Sequence, residues 1–145
     1  MKIMIINGPN LNMLGIREKD IYGSKTYNQL CEYLIKETKP QGLDITILQS
    51  NIEGEIINYL HKAYIDKYKG IVINPGAFTH YSYAIYDAIK SIDLPTIEVH
   101  LSNIYSREEF RQKSVTSKAC IGQISGFGYM SYILAISALQ KNIML

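Results

Sequence analysis

Glu98 and His100 form the first pair of side chains that could move a proton. They stand two residues apart in a short strand-like run, so both side chains project from the same face. A carboxylate in a covered strand is costly unless it is paired, and a histidine oriented by a carboxylate can act as a general acid. A buried Glu–His pair with a purely structural role is the alternative interpretation.

Arg17 and Tyr22 form a second pair, in the polar stretch between Gly15 and Gly23. The ordinary pKa of tyrosine, about 10, makes it a poor base at neutral pH, but a neighbouring guanidinium favours the tyrosinate. A polar segment between two glycines at a ligand-binding edge is typical of a lid. The alternative is an exposed tyrosine in a loop.

Two more arginines, Arg107 and Arg111, follow at a spacing that predicts one helical turn. The chain contains only three arginines against twelve lysines, so arginine at both positions suggests planar recognition of a carboxylate or activation of a phenol. Surface salt bridges to Glu108 or Glu109 are the alternative.

Amide and imidazole side chains follow two other strand-like runs. Asn10 lies in the turn after the first run, where turn chemistry alone also explains it. Asn74 ends another run, and His80 follows close to the next helix, whose free N–H groups favour an anionic or hydroxyl-bearing ligand. Helix capping by Thr79 or Ser82 is the alternative, but it leaves His80 unexplained.

Composition and motifs exclude several classes of protein. The net charge is +2 with scattered lysines, and no apolar run approaches the length of a membrane helix, so we expect no nucleic-acid or membrane partner. Cys31 and Cys120 are far apart, which suits a reducing cytoplasm. No phosphate-binding glycine motif is present. His80, Glu98 and His100 could hold zinc by residue type, but their spacing does not support a metal site.

Five strand-like runs alternate with helix-like patterns across 145 residues. This predicts an α/β fold in a single domain, residues 1–145, with a five-stranded parallel sheet in a three-layer, flavodoxin-like sandwich of order 2-1-3-4-5. Ligands bind such sheets beyond the carboxyl ends of the strands, where the order reverses. The predicted strands are 2–7, 43–49, 70–74, 95–100 and 121–124, and the predicted helices are 25–38, 54–68, 82–92 and 127–140.

Six motifs in order resemble one family, type II 3-dehydroquinate dehydratase (3-dehydroquinase) of the shikimate pathway, which leads to chorismate and the aromatic amino acids. Each motif is weak alone, but together they span nearly the whole chain. The family's flavodoxin-like fold agrees with the sheet predicted above. The matching segments are 7–12, 17–18 with 22–23, 74–77 with 79–80, 87–88, 98–103 and 107–111.

The resemblance implies a hydro-lyase that removes water from 3-dehydroquinate by a reversible anti elimination through an enolate, giving 3-dehydroshikimate. Tyr22, held as tyrosinate by Arg17 and Arg107, is implied as the base. His100, oriented by Glu98, is implied as the acid. No metal or organic cofactor is expected for this chemistry.

The resemblance also implies how the substrate is held. Asn10 would help to hold a water that stabilises the enolate oxygen, and Asn74, Leu101 and Ser102 would bind the carboxylate.

At the ring, His80 and Arg111 would bind hydroxyl groups. Asp87 would reach the site of a neighbouring subunit in a homo-oligomer, a dodecamer built as a tetramer of trimers.

Two rival classes share the predicted fold. A flavin-mononucleotide binder needs a Ser/Thr-rich loop after the first strand, and residues 8–12 provide none. A phospho-acceptor receiver domain needs acidic residues where Asn7 and Asn74 stand. A catalytically inactive family member that serves only in assembly is a third possibility, although every implied catalytic residue type is present.

Overall fold

The computed structural model describes residues 1–16 and 18–143, with only the backbone described at positions 22, 142 and 143. Strands and helices alternate along the chain, and short 3₁₀ turns occupy several of the loops. The strands are β1 (Lys2–Asn7), β2 (Asp44–Gln49), β3 (Gly70–Asn74), β4 (Thr96–His100) and β5 (Gly122–Ser125). The helices are α1 (Lys19–Tyr22), α2 (Tyr27–Thr38), α3 (Glu53–Ile65), α4 (Tyr83–Ser91) and α5 (Met130–Ile143).

The five strands form one parallel sheet in the order β2-β1-β3-β4-β5, which confirms the predicted fold class and strand order. The order reverses between β1 and β3, and the register places Asn7 opposite Asn74 at the carboxyl edge. His100 ends the adjacent strand β4, and Glu98 lies two residues before it in the same strand. The topology therefore brings the polar ends of three strands to one edge.

Each face of the sheet is covered by its own apolar layer. Alternation along β1 sends Ile3 and Ile5 to the side of α2 and α5, and Met4 and Ile6 to the side of α3 and α4. All four side chains are fully buried. Both faces of the central strands are thus covered, so a charged group there needs partners.

Backbone geometry explains where the helices depart from their predicted limits. Helix α3 ends at Ile65 rather than at residue 68, because Lys67 adopts a left-handed conformation with φ 58°. Helix α5 begins later than residue 127, because Gly126 and Gly128 form a turn with positive φ.

Within the part of the chain that the structure describes, no helix has the length and apolar character needed to cross a bilayer.

Candidate active site

A cleft of about 160 Å³ opens at the carboxyl ends of β1, β3 and β4, where the sheet order reverses. Its wall combines amide, imidazole and guanidinium side chains with apolar residues. Most of the residues predicted for the site line this one cleft. They are Asn10, Asn74, His80, His100, Leu101, Ser102, Arg107 and Arg111.

The predicted contact between Glu98 and His100 is present. Glu98 is fully buried, and its Oε1 accepts a hydrogen bond from His100 Nε2 at 2.7 Å. Three further donors complete the carboxylate's shell. They are Ser114 Oγ at 2.8 Å and Gln123 Nε2 at 2.9 Å, both to Oε1, and Thr116 Oγ1 to Oε2.

These partners decide the charge of Glu98. Burial alone would raise the pKa of the carboxyl, but the hydrogen bond and positive charge of His100, with the donors Thr116 and Gln123, outweigh it and lower the pKa to about 2. A fixed anion therefore holds Nε2 of the imidazole. Nδ1 is the ring nitrogen that Glu98 does not bind, and His100 lines the cleft.

The tips of β1 and β3 carry a second buried polar group. Asn74 Nδ2 donates to the hydroxyl of Tyr132 at 3.0 Å, and that hydroxyl donates to Asn7 Oδ1 at 2.6 Å. Asn74 Oδ1 accepts from the backbone N–H of Gly76 at 3.2 Å. Asn74 is thus held on two sides while it lines the cleft.

Asn10 is positioned through its backbone. It has φ 67°, a left-handed conformation that asparagine tolerates better than most residues, and its N–H donates to Asn51 Oδ1 at 2.9 Å. The same Oδ1 accepts from Gln49 Nε2 at 3.0 Å, and Gln49 also donates to the carbonyl of Gly8 at 3.2 Å. Gln49 at the end of β2 and Asn51 just after it therefore fix the turn that carries Asn10.

His80 and Arg111 line the far wall of the cleft. His80 Nδ1 lies 2.8 Å from the carbonyl oxygen of Lys113, and its ring stands edge-on to Phe110. Burial lowers the pKa of His80, although its backbone partner opposes this shift. The ring is thus biased towards the neutral form, which can both donate and accept a hydrogen bond.

The prediction of one helical turn for Arg107 and Arg111 is wrong. Two separate 3₁₀ turns, Ile104–Ser106 and Glu109–Arg111, occupy this region, and Arg107 lies between them. Arg111 Nε donates to Glu108 Oε2 at 2.5 Å, so the salt bridge considered as an alternative is formed while Arg111 also lines the cleft.

The described residues from 15 to 23, here called the flap segment, adjoin the cleft through Arg107. The segment contains the short helix α1, which the sequence did not predict, and Arg107 pairs with Glu18 at 3.8 Å. Ile21 lines a second hollow together with Ser102 and Arg107. Arg17 and the side chain of Tyr22 lie outside the described residues.

The remaining predicted positions have different surroundings. Ser82 caps α4 by accepting from the N–H of Ile85, which confirms the capping alternative, whereas Thr79 is buried against Thr116. Asp87 is exposed on α4 and lies outside the lining of its own chain's cleft. In residues 1–16 and 18–143, no three acidic, histidine or cysteine side chains group as a metal site would require.

Comparison with known proteins supplies the family. The family model described as "Dehydroquinase class II" matches residues 1–140. The chain belongs to the class II dehydroquinase family. A relative from Clostridium perfringens strain SM101, named 3-dehydroquinate dehydratase, is 67% identical over 99% of this chain and 98% of its own length. A relative of the same name from Clostridium acetobutylicum is 62% identical over 97% of both chains.

A solved structure agrees with the class II dehydroquinase assignment. The crystal structure of a type II dehydroquinase from Butyrivibrio crossotus is 52% identical, covers 97% of both chains and superposes with a TM-score of 0.95. The fold and the order of the sheet strands are therefore those of the dehydroquinase family.

Several polar residues of this dehydroquinase site were missed by the sequence analysis. Ser114, Thr116 and Gln123 surround Glu98, and Tyr132 joins two strand tips, yet none stands within ten residues of the side chain it contacts. The predicted cost of an unpaired buried carboxylate was the one signal that partners for Glu98 had to exist.

Proposed function

We propose that the chain catalyses the reversible dehydration of 3-dehydroquinate to 3-dehydroshikimate. The observation that carries this proposal is the ionised Glu98 held against His100 at the wall of a cleft rich in hydrogen-bond donors. The names of the close relatives supply the substrate.

The proposed elimination needs a base, an oxyanion stabiliser and an acid. The phenolate of Tyr22 takes the C2 proton and becomes a phenol, while the electron pair moves onto the neighbouring carbonyl oxygen as an enolate. Asn10 holds a water against this oxygen. The enolate then collapses, the C1–O bond breaks, and protonated His100 gives its proton to the departing hydroxyl as water.

Positive charge at the rim supports Tyr22 as the base. Arg107 lines the cleft and pairs with Glu18, four residues before Tyr22 in the sequence. Together with Arg17 it would lower the pKa of the phenol, because a guanidinium stabilises the tyrosinate and stays charged itself.

Substrate binding follows from the donors of the cleft. Asn74, Ser102 and the backbone N–H groups at Leu101–Ser102 bind the carboxylate, and His80 and Arg111 bind ring hydroxyls. All five residues line the cleft. The chemistry uses acids and bases that the chain supplies, with no metal or organic cofactor.

We propose in addition that residues 1–145 form one catalytic domain that works in the cytoplasm as a dodecamer of four trimers. Asp87 supports this assembly, because it is exposed on α4 and outside its own cleft, free to complete a neighbour's site. Light scattering should report a twelve-subunit mass, and Asp87→Asn should raise KM. A fully active monomer would contradict the assembly.

The enzymatic proposal is tested by the absorbance of the conjugated enone formed from 3-dehydroquinate. We expect wild-type turnover, and losses in kcat of about 10²–10⁴-fold for Tyr22→Phe and His100→Ala. Tyr64→Phe, an exposed tyrosine on α3, is the matched control and should keep full activity. No product from the wild type would refute the function, whereas an active Tyr22→Phe would refute only the base.

A further inference from the structure

Tyr132 is a buried phenol that the proposed reaction does not use. It lies on α5, is completely inaccessible to solvent, and its hydroxyl is enclosed between the amides of Asn7 and Asn74. The two asparagines end neighbouring strands and stand in register. A polar hydroxyl in an otherwise apolar layer needs such partners.

The direction of every hydrogen bond in this group follows from one backbone donor. The N–H of Gly76 can only donate, so the side-chain atom of Asn74 that faces it is Oδ1. The nitrogen Nδ2 then faces Tyr132 and donates to its oxygen. The phenol proton is left to go to Asn7 Oδ1.

The state of the phenol agrees with these directions. Burial raises the pKa of Tyr132 far above the usual range of tyrosine, so the hydroxyl keeps its proton at any physiological pH. A protonated hydroxyl that donates to Asn7 can only accept from Asn74.

We propose that Tyr132 is a positioning residue that makes Asn74 present an N–H group, and not its carbonyl oxygen, to the ligand in the cleft. An amide nitrogen carries two hydrogens, and one of them goes to Tyr132. The second is available at the lining of the cleft. The hydrogen bonds among Tyr132, Asn7 and Asn74 thereby select an anionic acceptor at this position. This inference rests on the proposed binding of a carboxylate by Asn74.

The test replaces Tyr132 with phenylalanine, which removes the hydroxyl and keeps the ring. Asn74 then loses one of its two restraints, and its amide can turn its oxygen towards the substrate carboxylate. We expect KM for 3-dehydroquinate to rise about tenfold with kcat changed less than twofold, because substrate and transition state carry the same carboxylate.

Tyr68→Phe is the matched control. Tyr68 is also buried, and its hydroxyl donates to Thr46 Oγ1 at 2.8 Å, but it precedes β3 at the opposite edge of the sheet. This variant should lose a similar amount of thermal stability and leave KM unchanged within twofold. An equal rise of KM in both variants would show that Tyr132 acts only through general stability.

A double-mutant cycle tests whether Tyr132 acts through Asn74. We expect Tyr132→Phe to change KM less than twofold when it is added to Asn74→Ala, since the group it positions is gone. Independent tenfold effects in the double variant would overturn the proposal.

A measurement without substrate separates this inference from the proposed function. In ¹⁵N-labelled protein, Tyr132→Phe should shift the side-chain NH₂ resonances of Asn74, whereas Tyr68→Phe should not. Unchanged Asn74 resonances would refute the positioning role. A wild type that makes no product would refute the proposed function and leave the amide geometry to be judged by this experiment.

Discussion

On one side of the cleft, Glu98 is fully buried and accepts hydrogen bonds from four side chains, whereas at the rim the flap segment carries the exposed side chains of Lys19, Asp20 and Ile21. The buried side fixes a charge before any ligand is bound, which is the arrangement expected of electrostatic preorganisation. The flap segment is shaped by its backbone: Gly15 and Gly23 both have positive φ, and a Cβ at Gly15 would lie 2.8 Å from the carbonyl oxygen of Ser24.

The two sides of the cleft are therefore sensitive to different kinds of substitution. On the buried side, one altered atom leaves several polar groups without partners at once. In the flap segment, substitution of the exposed Lys19, Asp20 or Ile21 should change the free energy of unfolding little, whereas a Cβ at Gly15 would clash with the backbone. Substitutions that keep the shape of a side chain and change one chemical group should therefore have large effects on the buried side and small effects in the flap segment's exposed positions.

The largest effect is expected from Glu98→Gln. The amide keeps one acceptor oxygen and places a nitrogen, which cannot accept, where the other oxygen stood, so either His100 or Thr116 loses its acceptor. In both cases the imidazole loses its anionic partner. We expect kcat/KM to fall by about 10²–10⁴-fold in the enone assay. Glu32→Gln makes the same exchange at an exposed position of α2 and should keep full activity.

A fall of less than tenfold in Glu98→Gln would show that the buried side does not hold the acid. Circular dichroism and thermal unfolding of the variant establish that it remains folded during the assay.

The second expected effect is acid lability that depends on Glu98. Its pKa is about 2 in the folded protein against an ordinary value of 4.5, so the unfolded chain binds the proton more readily. The stabilisation is fully present above pH 4.5 and is lost as the pH falls towards 2, an amount of about 3 kcal/mol. Urea unfolding at several pH values measures it.

Glu98→Gln is also the reference for this measurement, because it cannot titrate at this position. The difference in the free energy of unfolding between wild type and variant should shrink across this window. Parallel curves would contradict the depressed pKa.

Sequence patterns predict the sheet and the contact between Glu98 and His100, and the reason is geometric. Alternation of strand and helix fixes a parallel sheet, and residues two apart on a strand must share a face, so the contact of Glu98 with His100 followed directly. The hydrogen-bond partners Thr116 of Glu98 and Tyr132 of Asn74 lie in later segments of the chain, and no local spacing in the sequence predicts these contacts. The helical turn predicted for Arg107 and Arg111 failed because spacing alone does not distinguish an α-turn from two 3₁₀ turns.

Two glycine substitutions repeat the comparison in the backbone, and one of them, Gly23→Ala, has the smallest effect on stability expected here. A Cβ at Gly8 would lie 2.4 Å from the carbonyl oxygen of Pro75, beside the hydrogen bond from Gly8 N to Asn74 O. Gly8→Ala should therefore cost about 3 kcal/mol, because the backbone at the tips of β1 and β3 must move apart. A Cβ at Gly23 meets no atom within 4 Å, and only its backbone conformation, φ 77° with ψ −174°, opposes alanine, so Gly23→Ala should cost about 2 kcal/mol. Denaturant unfolding measures the free energy of unfolding of both variants. A larger loss in Gly23→Ala than in Gly8→Ala would mean that the flap segment, and not the strand tips, is the side of the cleft less tolerant of an added Cβ.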